Sequence, residues 1–322
     1  MTKQVILSQP KLLFERQKLI AIALLFIATV AISFAAIFIK WSEAQISANA
    51  TVFNRLWIAT VILALSNSLN VVYLKLSNGQ SNPQSTEDTP YTKTVIVLLL
   101  ALGFVYIGFQ SLWAWSITQT SIAISTVLHN LTPIFTTLSA WLFLNQRFER
   151  RFLIGLVLAI AGMIVIGLED IQIANGKMSG DIAALLSAVF YAAYLLIIER
   201  LRTKLSTTKI LMWSSLIGAI LILLILIVTG EKLFPYSWTG WLAVILLAVI
   251  CHVLGNGFIA YSLNELSSGF VALFLILDPV LTTIEAWIFF SEKLVLLDWI
   301  AFVFILLGIY LAISSQSSTR QE

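Results

Sequence analysis

The stretch "AWSITQTSIAISTVLHNLTPIFTTLSAWLFLNQR" (114–147) falls without a gap on "AYSLNELSSGFVALFLILDPVLTTIEAWIFFSEK" (260–293) when the chain is displaced by 146 residues. Ten of the 34 columns are identical: Ala114, Ser116, Ser121, Leu131, Pro133, Thr136, Thr137, Ala140, Trp141 and Phe143. Shared apolar character does not place a Pro, a Thr-Thr and an Ala-Trp in one register, so the chain carries an internal repeat.

Each copy is apolar over a length that matters. A helix needs about 20 apolar residues to cross a bilayer core, at about 1.5 Å per residue. Ten such runs occur, at 20–39, 51–73, 94–115, 121–144, 152–168, 181–198, 208–229, 238–262, 267–290 and 295–314. Polar breaks such as "NQRFERR" (145–151), "ERLRTKLS" (199–206) and "TGEKLFP" (229–235) separate them, and "SNGQSNPQSTEDTP" (77–90) reads as the longest loop. Five runs per half is an odd number, so the two halves point in opposite directions through the membrane. The expected fold class is an all-α integral membrane protein of ten transmembrane helices arranged as two inverted five-helix repeats. Such repeats are related by a pseudo-two-fold axis in the membrane plane, the architecture of alternating-access carriers. The expected boundaries are a tail at 1–19, a first repeat at 20–168, a connecting loop at 169–180, a second repeat at 181–314 and a tail at 315–322.

Composition agrees. The chain is 59% hydrophobic and 11% charged, against about 25% charged in soluble domains, too few for a polar shell. The net charge of +3 comes without a dense basic run, so nucleic acid is set aside. A single cysteine, Cys251, excludes an internal disulfide, and no HExxH, CxxC or Gly-rich phosphate loop is present. No cofactor and no metal are expected, and no nucleophile–base pair argues for an enzyme. Ala48-Asn49-Ala50 mimics a signal cleavage site. The preceding apolar run is too long for a signal h-region, however, and Lys40, Trp41 and Glu43 intervene, so a retained first helix is expected. With the N-terminus cytoplasmic, only Lys40, Arg55, Lys177, Lys232 and Lys293 lie outside, leaving 14 of the 19 basic residues inside. The positive-inside rule thus expects both termini in the cytoplasm, at an inner or plasma membrane.

The chain resembles the EamA family of the drug/metabolite transporter superfamily. The matching features are "NRLW" (54–57), "SGDIAALLSAVFYAAY" (179–194), "LTPIFTTLSAWLFL" (131–144) and "LDPVLTTIEAWIFFSEKL" (277–294), with Gly155, Gly162 and Gly308. Gln146 stands where the family often has Glu, which Glu292 supplies in the second half, and Thr132 stands opposite Asp278. The resemblance implies a carrier for small metabolites, amino-acid-like or amphipathic, in export or uptake. A lipid or lipid-linked-intermediate flippase is the alternative, and a membrane-embedded enzyme a distant one.

Asp278 and Glu285 are seven residues apart, about 20° short of two full turns, and so share a helix face. An acid at the bilayer centre costs at least about 2.5–3.5 kcal/mol, so both are expected to face the bundle interior. There they would bind a substrate or carry a proton, the candidate coupling ion, with facilitated diffusion equally open; a structural hydrogen bond is the alternative. Pro133 and Pro279 occupy matching columns and are candidate hinges. His129 and Asn130 precede Pro133 and are candidate proton or substrate contacts. Gln110 pairs by repeat with Asn256, and Trp115 with Tyr261. The amides are candidate substrate ligands and the aromatics candidate cavity walls, with helix–helix contacts and interface anchoring as the other readings. Arg55 reads as a residue snorkelling to headgroups. A small-molecule substrate and the lipid bilayer are the expected partners.

Overall fold

Where a bilayer core offers no water, apolar chain must satisfy its backbone internally, and a helix does so within one segment. The computed structural model describes residues 8–77, 91–120, 122–171, 178–290 and 294–319, and is helical throughout its long segments. The expectations for most of the 77–90 loop, for 172–177 with Lys177, and for Ser121, Glu292 and Lys293 lie outside the described residues. So do those for 1–7 and 320–322.

The helices are α1 (Ser8–Ser33), α2 (Ala35–Glu43), α3 (Ala48–Ser77), α4 (Lys93–Gln119), α5 (Ile122–His129), α6 (Thr132–Leu144), α7 (Arg150–Ile171), α8 (Met178–Leu201) and α9 (Thr207–Thr229), followed by α10 (Trp238–Leu246). A π-helical segment (Leu247–Asn256) leads to α11 (Gly257–Ser262), α12 (Ser268–Phe274), α13 (Leu277–Phe290) and α14 (Leu296–Ile313). They make ten spans: α1–α2 form the first, α5–α6 the fourth, α10–π–α11 the eighth and α12–α13 the ninth. Nine are long and apolar enough to cross a membrane by the described residues alone. The tenth is α7, which packs along α14. Two expectations differ in extent: the first helix begins at Ser8 inside the expected 1–19 tail, and residues 315–319 fold back onto the bundle.

The inverted repeat is visible in the contacts. A Cβ on Gly155 of α7 would come 2.5 Å from the Gly308 carbonyl of α14, and one on Gly162 would come 2.8 Å from the Ala301 carbonyl. Displaced by 146 residues, Gly155 falls on Ala301 and Gly162 on Gly308, so each contact is the symmetry image of the other. A two-fold axis therefore passes between α7 and α14, with small residues letting the backbones touch. Tyr106 and His252, also 146 apart, meet directly at 3.2 Å from Oη to Nδ1 on the same axis. Gly308→Leu is expected to wedge the α7–α14 crossing open, since a Cβ there would sit 2.5 Å from the Gly155 carbonyl oxygen. Such overpacking costs about 1–3 kcal/mol or more. A lowered Tm of the purified protein in detergent is the measurement; an unchanged Tm would refute the crossing.

The broken spans are the other repeat feature. Pro133 and Pro279 do not bend continuous helices; each lies in the first turn of a new one, where a missing N–H costs nothing. The carbonyls four residues upstream find other donors: Thr132 Oγ1 to His129 O at 2.6 Å, and Asp278 N to Leu275 O at 3.0 Å. Positions 132 and 278, and 129 and 275, are repeat partners, so both breaks are built alike.

The loops tie the two ends of the bundle differently. At the far end from the termini, Gln45 Nε2 donates to Ser237 Oγ at 2.5 Å and Asn49 Nδ2 to Glu231 Oε1 at 3.1 Å. Ser47 also donates to Glu231, and this bond, with help from Asn49, holds the half-buried carboxyl below its ordinary value. At the termini end, Glu199 is buried and accepts from Gln146 Nε2 at 2.9 Å and from Ser268 N at 3.1 Å.

Candidate functional site

A cavity of about 460 Å³ opens between the repeats. Its lining comes mostly from the far half of each span: Ile32 to Ile39 of α1–α2, Arg55 of α3, Gln110 and Trp113 of α4, Thr126 to Asn130 of span four, and Asp278 to Thr283 of α13. Five of the sequence-derived candidates line it together with Pro279: Asp278, His129, Asn130, Gln110 and Asn256. Four do not. Glu285 is buried beside the cavity, and its Oε1 accepts from Ser33 Oγ at 2.6 Å. Pro133 lies in the packed half of span four. Trp115 and Tyr261 point outward, 48% and 45% exposed. Five residues separate Gln110 from Trp115, and Asn256 from Tyr261. That spacing is about 140° around a helix, so amide and aromatic cannot face one cavity.

Arg55 is the residue that sequence reasoning placed elsewhere. It is 8% exposed and lines the cavity, and its Nε is buried without a hydrogen-bond partner. Asp278 Oδ1 and Trp113 Nε1 are buried without partners as well. No ion pair joins Arg55 to Asp278 among the described residues, so a guanidinium and a carboxyl group face the same space without pairing. Buried polar atoms left unpaired cost free energy unless a ligand or water meets them. The walls are aromatic: Phe109 meets Tyr191 with centroids 4.7 Å apart, and His129 lies between Tyr191 and Trp113 at 5.7 Å from each.

Proton bookkeeping assigns the polar edges. Ser187 Oγ donates to Ala184 O at 2.7 Å, so its contact of 2.7 Å with His129 Nδ1 is a bond donated by the ring. That leaves Nε2 as the acceptor of a neutral His129. Asn256 Nδ2 lies 3.2 Å from His252 Nδ1 and can only donate. His252 Nε2 then carries the proton and donates to Ser215 Oγ at 2.8 Å. Gln110 Nε2 donates to Tyr106 Oη at 3.3 Å. Both amide nitrogens are thus committed to the Tyr106–His252 pair, and their oxygens remain as acceptors for the cavity. The π-helical segment places His252 and Asn256 there; such segments recur at functional sites because they re-aim side chains.

The sequence profile of the EamA-like transporter family matches residues 19–168 and 178–314. The chain belongs to this family. That family is one of transporters, and the chain is a multi-pass membrane protein. It is 27% identical over 204 residues to human solute carrier family 35 member G1, covering 60% of this chain and 53% of that protein. An uncharacterized transporter of Archaeoglobus fulgidus is 20% identical over 255 residues, with 78% of this chain and 85% of that protein covered. The chain thus spans about half the length of the human relative, and most of the archaeal one. A solved crystal structure superposes with a TM-score of 0.73 at 17% identity, over 91% of this chain and 96% of that one. That likeness shows a shared fold.

Proposed function

We propose that this EamA-family transporter carries a small zwitterionic organic solute, amino-acid-like with an apolar side chain, by alternating access through the cavity. The observation that carries the reading is that the Arg55 guanidinium and the Asp278 carboxyl face one aromatic-walled space without pairing. A carboxylate meets the guanidinium and Trp113 Nε1. An ammonium meets Asp278 and the oxygens of Gln110 and Asn256, and the apolar part meets Phe109, Tyr191, Ile32 and Ile39. Each charge of the solute thereby replaces water with a charged partner. The aliphatic and aromatic lining supplies the area-dependent part of the affinity.

The direction we favour is export, with both termini in the cytoplasm of a cell whose inner or plasma membrane holds the protein. The charge asymmetry of the loops supports this orientation. Protons are the coupling ion in this reading. Ser33 Oγ lies 2.8 Å from Val30 O and 2.6 Å from Glu285 Oε1, and one hydroxyl proton serves only one of them. A protonated Glu285 donates to Ser33 and leaves both bonds intact, so Glu285 has a use for a proton beside the cavity.

Flux into proteoliposomes tests the reading, with three probes matched in apolar group, an aromatic amino acid, its amine and its acid, and a nucleotide sugar beside them. The amino acid is expected to move at least about tenfold faster than the singly charged analogues, a difference of about 1.4 kcal/mol. Equal flux of amino acid and acid, or preference for the nucleotide sugar, would overturn it.

A further inference from the structure

The cavity exists because two helix halves stand apart. The halves α5 and α13 both line it. Displaced by 146 residues, α5 falls on α12 and α13 falls on α6. That second pair packs face to face at the termini end. All seven residues of α12 are buried. A Cβ on Gly269 of α12 would lie 3.1 Å from the Phe148 ring and 3.3 Å from Thr137 Oγ1 of α6. One pair of repeat-related helix halves is open and the other shut.

Across the shut pair runs residues 315–319, the segment that follows α14. It bonds the loop after α6: Glu149 N donates to Ser317 Oγ at 2.7 Å, and Glu149 Oε2 accepts from Ser315 Oγ at 3.0 Å and Gln316 N at 3.2 Å. It also bonds the loop before α12. Ser267 N donates to Ser318 O at 3.1 Å and Ser267 Oγ to Ser317 O at 2.8 Å, with a β-bridge between Leu266 and Thr319. Ser315, Ser317 and Ser318 are buried. Ser267 caps the start of α12 and Glu149 lies in the connection from α6 to α7, so parting α6 from α12 at this end stretches the segment that joins those two connections.

We propose that residues 315–319 form a latch that holds the termini end of the bundle shut, and that it must detach before the cavity opens toward the termini. The proposal rests on the alternating-access reading but on no particular substrate. Its role is to bias, not to seal alone, because Glu199 still joins Gln146 to Ser268 beneath it. Detachment therefore shifts a population between two states.

Thiol labelling in lipid nanodiscs tests the latch without a solute. The single native cysteine is replaced (Cys251→Ser), and two reporters are introduced separately: Thr137→Cys in the buried α6–α12 contact and Thr126→Cys in the cavity wall. Each is combined with a stop after Ser314, or with Glu149→Ala plus Ser267→Ala, which keeps the chain whole should truncation impair folding. A membrane-impermeant maleimide is expected to label position 137 about tenfold faster in either latch variant, and position 126 more slowly, as the population shifts. Unchanged rates at 137 would overturn the proposal. So would a rise at both positions, which reports a loosened bundle and not an exchange of open ends. A solute panel that fails while the reciprocal labelling holds would count against the zwitterion reading alone.

Discussion

Asp278→Asn is expected to reduce amino-acid flux by about 10- to 100-fold, with membrane expression unchanged. A hydrogen bond to a charged group is worth about 1.5–3 kcal/mol, and the asparagine keeps shape while losing the charge that meets an ammonium. The buried Oδ1 of Asp278 has no partner inside the protein, so the substitution breaks no internal bond. Flux of the acid analogue, which lacks an ammonium, should change little. Glu285→Gln is the contrasting variant. Its carboxyl is held by Ser33 and does not line the cavity, so its effect should fall on the pH profile of flux more than on solute selectivity. Wild-type rates and an unaltered selectivity in Asp278→Asn would remove the acid from the binding site.

Arg55→Gln should produce the complementary loss. Flux of the amino acid and of the acid analogue should fall by about 10- to 100-fold, on the same magnitude for a charge-assisted bond, while the amine is spared. Arg55→Lys keeps the charge and loses the planar fork, and is expected to recover only part of the rate. Measured side by side, the two sets of variants form a cross. If Arg55→Gln and Asp278→Asn affect all three solutes equally, the two charges support the bundle and do not sort its cargo. If a headgroup-facing role were correct, Arg55→Gln would leave selectivity untouched.

The site was partly legible before any tertiary information. Seven-residue spacing identified a shared face for Asp278 and Glu285, yet only the first reaches the cavity. Glu285 lies two turns nearer the far end, where Ser33 of the first span covers it. Gln110 and Asn256 were found because repeat columns match, and they converge on the Tyr106–His252 pair for the same reason: they flank the axis that relates the columns. Trp115 and Tyr261 matched equally well and point outward. Column matching reports symmetry, and symmetry holds for outward-facing positions as well as for inward-facing ones.

Span number, alternating direction and the inverted repeat follow from the chain alone. Bilayer thickness converts an apolar run into a helix of known length, an odd number of helices reverses the second half, and these depend on local composition and counting. Which side chains share a cavity does not. Arg55 sits at the start of an apolar run, where an isolated helix would let it reach headgroups. Only the packing of α3 against α9 and the π-helical segment encloses that turn and leaves the cavity as its polar surroundings. The inequality between the packed pair α6–α12 and the parted pair α5–α13 is likewise absent from the sequence, which treats the two pairs as equivalent. Their difference is a property of the conformation the whole bundle adopts.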